Sequence, residues 1–299
     1  MNLLIALPND RELAESLGKK GSENGITFYN RKLEDRNITL LTPSNISDKY
    51  YSLPQSLLLS ELVLLSTKSI DSLFADVVAC CELLGKKLIL TKDNDIGNIL
   101  KGLSVNYENI DKSNMLEYLG SCEKIPENGK TTKIILDRAF PVKGVGDIAL
   151  GIITEGKVHV HDNLFHSSGK GVTIKHIQVN DIDVESSESG TRVGLAIKGL
   201  DYNEIKKGDV LSTNIIKPTS SAEVSITVSK FAKEVDLEGE KIEAAGYFTY
   251  SSVKLSHVKD NTYRLELAKK LPLSMGDRLI FVKSKSPRMF AVGVITKIE

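Results

Sequence analysis

Cysteine is scarce: Cys80, Cys81 and Cys122 are the only three in 299 residues. Adjacent cysteines do not easily bridge each other, and no Cys-x-x-Cys spacing occurs. This argues against a disulfide framework or a cysteine zinc site, and for a reducing compartment. Net charge is absent as well, because 39 Lys and Arg balance 39 Asp and Glu. No global field draws the chain to nucleic acid or membrane, so any basic surface must be local. The first 130 residues carry 15 basic and 18 acidic side chains, the remainder 24 and 21. No apolar run approaches the roughly 20 residues needed to span a bilayer. The first residues show neither a charged n-region nor a cleavage site. Repeats and low-complexity tracts are missing too. The expectation is a cytoplasmic protein without membrane contact.

A further absence concerns chemistry. Leu3 to Gly18 reads LLIALPNDRELAESLG, an apolar strand, a short break and an amphipathic helix, which is how a nucleotide-binding domain usually begins. A triphosphatase would place Gly-x-x-x-x-Gly-Lys-Ser/Thr in the break. The chain has Pro8-Asn9-Asp10-Arg11, with no glycine, no Lys-Ser or Lys-Thr pair, and an acid where phosphates would lie.

Beyond these gaps the chain is regular. Residues 1–125 alternate strand and helix signals. Strands are expected at Leu3 to Leu7, Ile26 to Tyr29, Asn37 to Leu41, Glu61 to Ser66, Lys87 to Leu90 and Val105 to Tyr107. Helices are expected at Arg11 to Leu17 (capped by Asn9 or Asp10, ended by Gly18), Ile70 to Leu84, Ile96 to Leu100 and Met115 to Leu119. Such alternation predicts a mostly parallel sheet with helices on its faces. Gly120 to Thr132 is polar, carries Pro and Gly, and reads as a linker. Short strands with frequent turn residues follow, the pattern of all-β barrels. Lys217-Pro218-Thr219-Ser220 divides them. The expected layout is an α/β domain at 1–125, a β-barrel at 131–216 and a second β-barrel at 217–299.

The β region holds a dense motif series. Asp137-Arg138-Ala139-Phe140 is followed by Lys143-Gly144-Val145-Gly146, then Gly151 and Gly156. Gly190-Thr191-Arg192-Val193-Gly194-Leu195 precedes Gly199, and Ile205-Lys206-Lys207-Gly208-Asp209-Val210-Leu211 closes the run. Glycines spaced between β-branched runs specify tight corners and close strand approach. The series resembles the second domain of elongation factor Tu-type translation GTPases, and most of all the selenocysteine-specific elongation factor, over roughly eighty residues. The resemblance implies a GTPase domain followed by two β-barrels, here an EF-Tu domain 2-like and a domain 3-like barrel. Measured against that family, the first domain reads as degenerate. The phosphate loop is missing, no Asp-x-x-Gly stands near Leu40-Leu41-Thr42-Pro43-Ser44-Asn45, and the Asn-Lys-x-Asp position holds Thr91-Lys92-Asp93-Asn94.

The resemblance also implies a site. In selenocysteine-specific factors, the matching positions Asp137, Arg138 and Arg192 contribute to a pocket for the aminoacyl end of tRNA, and two guanidinium forks with a carboxylate suit a small anion. The competing reading is a structural ion pair at a barrel rim. If Arg192 serves binding, its replacement weakens binding with little change in melting temperature. Lys283, Lys285 and Arg288 are the candidate RNA contact of the last domain, which carries 14 basic and 10 acidic residues; a solvated loop competes. His159, His161 and His166 could bring two metal ligands to one strand face, but no fourth ligand is evident. Gly169-Lys170-Gly171 reads as a hairpin turn, and Cys80 and Cys81 as core. No nucleophile with a base and an orienting group stands out.

The expected function is therefore a GTPase-inactive paralogue that binds tRNA or ribosomal RNA without a nucleotide switch. It has no catalytic, cofactor or metal residues, and no DNA partner. An alternative is a protein-interaction scaffold that docks partners through its N-terminal domain and has lost RNA binding. A functional GTP-binding selenocysteine-specific elongation factor is the third possibility, and the missing motifs argue against it.

Overall fold

The computed structural model describes residues 2–33, 36–47, 50–94, 96–122, 131–232 and 235–299. The N-terminal α/β domain starts with β1 (Asn2–Ala6), which after Asn2 is buried on both faces and accordingly apolar. Asp10 caps α1 (Arg11–Leu17), and Gly18 ends it. Then come β2 (Lys19–Glu23), β3 (Ile26–Leu33), β4 (Arg36–Pro43), α2 (Ser52–Leu59), β5 (Leu62–Leu65), α3 (Ser72–Leu84), β6 (Lys87–Thr91), α4 (Gly97–Leu100), β7 (Tyr107–Ile110) and α5 (Met115–Ser121). The strands lie in the order β2-β3-β4-β1-β5-β6-β7. Pairings from β4 to β7 are parallel, whereas β2 and β3 run antiparallel at one edge.

Two elements differ from the sequence reading for physical reasons. The β2 residues Lys19-Lys20-Gly21-Ser22-Glu23 have no apolar alternation, because the strand lies at the sheet edge and is mostly exposed. All eight residues of α2 are buried, so no amphipathic period marks it. Its Pro54 sits in the first turn, where a missing N–H is tolerated. The strand expected at Val105 to Tyr107 runs Tyr107–Ile110 instead. Of the expected linker, Gly120 and Ser121 finish α5, and residues 123–130 lie outside the described residues.

The second region comprises β8 (Lys133–Val142), β9 (Gly146–Glu155), β10 (Lys157–His159), β11 (Asn163–His166), β12 (Gly171–Val179), β13 (Ile182–Val184), β14 (Ser186–Glu188), β15 (Thr191–Lys198) and β16 (Val210–Ser212). Because β11 pairs with both β16 and β12, the circle β11-β16-β8-β9-β15-β12 closes. Gly156 turns the corner after β9 at φ 68, and a Cβ there would collide with the Thr131 carbonyl. The C-terminal region is a closed barrel, β17-β20-β19-β18-β21-β22. Its strands are β17 (Pro218–Val228), β18 (Ile242–Ala245), β19 (Tyr250–Lys259), β20 (Thr262–Pro272), β21 (Arg278–Val282) and β22 (Met289–Ile298).

The apolar cores run across all three regions. Phe74 and Val77 of α3 share a cluster with Ile280, Val282, Met289 and Val292 of the barrel. Leu4, Phe28 and Leu41 share another with Ile135, Ile152, Val210 and Phe248. Gly208 marks this junction, since at φ 90 it packs its bare Cα against the Thr249 methyl. No helix among the described residues is long and apolar enough to cross a membrane.

Candidate functional site

The loops after β1, β5, β6 and β7 meet at the carboxyl edge of the parallel strands. Strand order reverses beside β1 there, the usual ligand position in a doubly wound sheet. The connection from β1 to α1 is four residues, Leu7–Asp10. Asn9 ties it to the β5 end, donating to the Ser66 carbonyl (2.7 Å) and accepting from the Ser66 N–H (2.9 Å). Buried Asp10 accepts the Leu13 N–H on Oδ1 at 2.9 Å, which seats a carboxylate at the helix N-terminus. Its Oδ2 lies 3.4 Å from Lys68 Nζ and 3.9 Å from Lys112 Nζ.

The neighbouring charges are paired off in turn. Lys112 meets Asp93 at 2.7 Å, Lys68 meets Glu12 at 3.2 Å, and Lys92 meets Asp111 at 2.8 Å. Burial pushes the Asp93 carboxyl up, but hydrogen bonds from Lys112 and Thr91 outweigh it and hold the group below its usual range. The Glu12 hydrogen bond, with Asp10 behind it, raises Lys68. Thr67 stitches the β5 and β6 ends: its hydroxyl donates to the Thr91 carbonyl (2.8 Å) and accepts the Asp93 and Asn94 N–H groups (3.0 and 3.1 Å). Asn94 donates its amide to the Thr67 carbonyl at 2.6 Å.

A second cluster lies where β2 abuts the second region. Asp137 and Arg192 are brought together, Nη2 to Oδ2 at 3.0 Å, with side chains 0% and 9% exposed. Arg192 also donates to the Ser22 hydroxyl at 2.6 Å, and its guanidinium lies 3.5 Å above the Phe28 ring. Asn24 donates to Asp137 Oδ1 at 3.3 Å, and Lys207 approaches the same oxygen at 3.6 Å. Arg138 turns aside and donates to the Glu23 carbonyl at 2.9 Å. Burial pulls both Arg192 and Lys207 below their usual pKa values while Asp137 pushes them back up. Arg192 Nη1 and Arg138 Nε have no hydrogen-bond partner among the described residues. Arg192 borders a cleft of about 570 Å³ lined by Ser22, Asn30, Phe140, Leu150 and His176, among others. Sequence reasoning missed Ser22, Asn24 and Phe28, which lie across the region boundary. Lys207 stood in the closing motif, and its place beside Gly208 was the available signal.

Lys283, Lys285 and Arg288 do not form one exposed cluster. They belong to the β21–β22 hairpin, which leans on the α/β domain. Arg288 lies flat on the Tyr50 ring at 3.5 Å, and its backbone N–H donates to Asp76 at 3.2 Å. Lys283 sits over Phe290 at 5.3 Å, and of the three only Lys285 is exposed. The histidines separate too. β10 ends at His159, and His161 occupies a turn at φ 74, so the two do not alternate along one strand. Buried His166 lies between Ser168 (2.8 Å) and Asp209 (3.1 Å). Gly169 and Lys170 form the turn joining the paired strands β11 and β12. Cys80 and Cys81 are buried in α3, and burial pushes the Cys81 thiol up to about 12.

The family model described as Elongation factor Tu domain 2 matches residues 146–212. The whole chain aligns with the crystal structure of apo translation elongation factor SelB from Methanococcus maripaludis, with a TM-score of 0.81 at 20% identity, over 100% of this chain and 80% of that one. The selenocysteine-specific elongation factor of Haemophilus influenzae is 27% identical over 193 residues, which is 62% of this chain and 31% of the relative. Residues 146–212 are an elongation factor Tu domain 2, and the chain as a whole has a SelB-like fold. An uncharacterized protein of Methanocaldococcus jannaschii is 26% identical over 292 residues, 94% of this chain and 95% of that protein. The selenocysteine-specific elongation factor of the same organism is 37% identical over 86 residues, but this chain spans only 18% of its length. The EF-Tu/SelB-like fold accounts for the order of α/β domain, domain 2-like region and closed barrel.

Proposed function

We propose that this EF-Tu/SelB-like protein binds RNA, either tRNA or ribosomal RNA, by affinity alone and without a nucleotide switch. The observation that carries the first half is Asp10. A carboxylate already caps α1, where a GTPase would offer its free N–H groups to phosphate. The short Leu7–Asp10 connection has no glycine cradle, no phosphate-binding lysine and no hydroxyl for Mg²⁺. Nearby lysines are paired with acids of the chain itself. These residues do not fit GTP with Mg²⁺. An added phosphate would meet Asp10 and Asp93, and Lys68 and Lys112 beside them are already engaged by acids of the chain.

The RNA half rests on the cleft beside Arg192. A buried guanidinium with one donor left over, next to apolar and aromatic walls, suits an anionic group joined to a less polar one. The aminoacylated end of a tRNA has that character. Because β2 reaches the cleft from a fixed sheet edge, the site needs no hydrolysis step to assemble or release it.

Calorimetry with GTP or GDP and Mg²⁺ is expected to show no binding, and a micromolar site would refute the switchless reading. Ultraviolet crosslinking in the native cells, with sequencing of recovered RNA, is expected to enrich one tRNA or a region of ribosomal RNA. Background RNA would remove the binding reading in favour of a protein scaffold, which the zero net charge favours.

A further inference from the structure

We infer that the groove between the α/β domain and the C-terminal barrel holds one unpaired nucleotide of single-stranded RNA, stacked on Tyr250 with its phosphate on Lys241, Lys283 and Arg288. The groove encloses about 450 Å³, within the range of small-molecule sites. It is remote in sequence from the Arg192 cleft and shares no lining residue with it.

Three features converge on this ligand class. The first is an aromatic platform. Tyr51 and Tyr250 stack at 4.2 Å with an interplanar angle of 12°, and Tyr250 is 42% exposed. One ring backs the other, leaving an open face of the kind on which unpaired bases stack. The second is fixed positive charge. Arg288 is held against the Tyr50 ring, whose hydroxyl donates to Asp76 at 2.8 Å, while Asp76 also accepts the Arg288 backbone N–H. The guanidinium is thus oriented in advance, and its Nε has no hydrogen-bond partner among the described residues. Lys283 lies beside it, and Lys241 contributes an exposed ammonium from the start of β18. The third is Glu243, the only carboxylate among the described residues that line the groove, able to accept from a base amine. A duplex keeps its bases stacked on each other, so the platform selects an unpaired base.

The proposal relies on the RNA-binding reading only for the source of the strand. The test uses the full chain and a fluorescently labelled six-nucleotide oligoadenylate, with affinity read by anisotropy across a salt series. With no tryptophan to mask it, tyrosine emission is readable, and the part of its change lost in Tyr250→Leu reports stacking on that one of nine rings. Tyr250→Leu is expected to weaken binding about tenfold and to abolish the emission change. Lys241→Ala should lower the salt slope by about one. Lys285→Ala, on the same hairpin but outside the groove lining, is expected to bind like the parent. Tyr250 and Lys241 are exposed, so both variants should keep the parent's melting temperature. No oligoadenylate binding, or equal binding by the parent and Tyr250→Leu, would overturn the inference. If Tyr250→Leu then still retains tRNA, the RNA-binding reading survives without the groove. Oligoadenylate binding that depends on Tyr250, alongside background crosslinking in cells, would keep the groove and sink the cellular reading.

Discussion

The carboxyl edge of the parallel strands and the seams between regions both carry clustered charge, but they use it differently. At the strand edge, Lys68, Lys92 and Lys112 are partly exposed and, buried Asp10 apart, so are the acids they meet. Screening keeps the exposed pairs weak, while the buried Asp10 Oδ2 has no hydrogen-bond partner among the described residues. At the seams, Asp137 with Arg192 and Lys133 with Asp277 are almost fully buried. Charges taken out of water depend on their partners. One of these seams, at Arg192, also borders a cleft and keeps a donor over. The edge thus carries mainly exposed pairs, whereas this seam carries a buried pair beside a cleft.

The largest effect that could break this contrast is at Asp137. Asp137→Ala should cost about 3–5 kcal/mol in urea unfolding, because Arg192 and Lys207 would lose their shared carboxylate. Adding Arg192→Met should recover part of the loss, since the buried charge leaves with its partner. The same burial changes the outlook for Arg192→Ala. The sequence-based expectation was weakened binding at a nearly constant melting temperature. A guanidinium 9% exposed and paired with a fully buried carboxylate should instead lower both. A loss below about 1 kcal/mol on removing Asp137 would mean that the seam is wet and its charges no different from those at the strand edge.

Lys86 gives the next largest effect, and it has a definite pH signature. Its ammonium donates to the Ser60 carbonyl, and burial lowers its pKa to about 8 from 10.5. The folded value lies below the unfolded one. Between pH 8 and 10.5 the unfolded chain therefore holds a proton that the folded chain has released, and the Lys86 contribution to stability rises with pH. Below about pH 8 the full penalty stands. Lys86→Met should be more stable than the parent at pH 7, by up to about 3 kcal/mol, with the difference vanishing by pH 10.5. Urea midpoints of both proteins across that range test it, and a difference that stays flat would place this ammonium in water.

These particular residues also mark how far the sequence was legible. β1 was readable because a central parallel strand is apolar on both faces, and α1 because Asp10 and Gly18 bracket it. The domain 2-like region was readable because its corners demand glycine. By contrast, β2 is polar and takes its strand form from pairing with β3, and α2 is buried all round; neither leaves a periodic trace. At the candidate site, Asp137, Arg138 and Arg192 were visible through a motif. The fact that Ser22, Asn24 and Phe28 complete the cluster was not, since contacts across 100 residues or more have no local pattern. That Lys285 stands apart from Lys283 and Arg288 was hidden for the same reason: Tyr50 and Asp76, which hold Arg288 beside the groove, lie more than 200 positions away.

A smaller effect is expected at Asp10. Asp10→Ala removes the α1 cap and should cost about 1 kcal/mol. Asp10→Asn keeps an acceptor for the Leu13 N–H and should remain near the parent. Neither variant should gain GTP affinity in calorimetry, because removing one acid does not supply a glycine cradle or a Mg²⁺ ligand. If Asp10→Asn did bind GTP, the strand edge would be a nucleotide site held shut by a single carboxylate, and the contrast with the seams would collapse.

The smallest effect is the one on which the strand-edge half of the comparison depends. Lys92 and Asp111 form a 2.8 Å pair with both side chains about half exposed. Lys92→Ala should shift stability by less than about 0.5 kcal/mol, and 1 M salt should erase even that, because exposed pairs are screened within a few ångströms at such ionic strength. Asp137→Ala measured in the same salt series should keep most of its loss, since burial shields that cluster from ions. Similar salt sensitivity in the two variants would show that both sets of charges face water alike. Divergent curves would establish that the strand edge is electrostatically settled while the seams hold charge that only a partner, inside the chain or outside it, can satisfy.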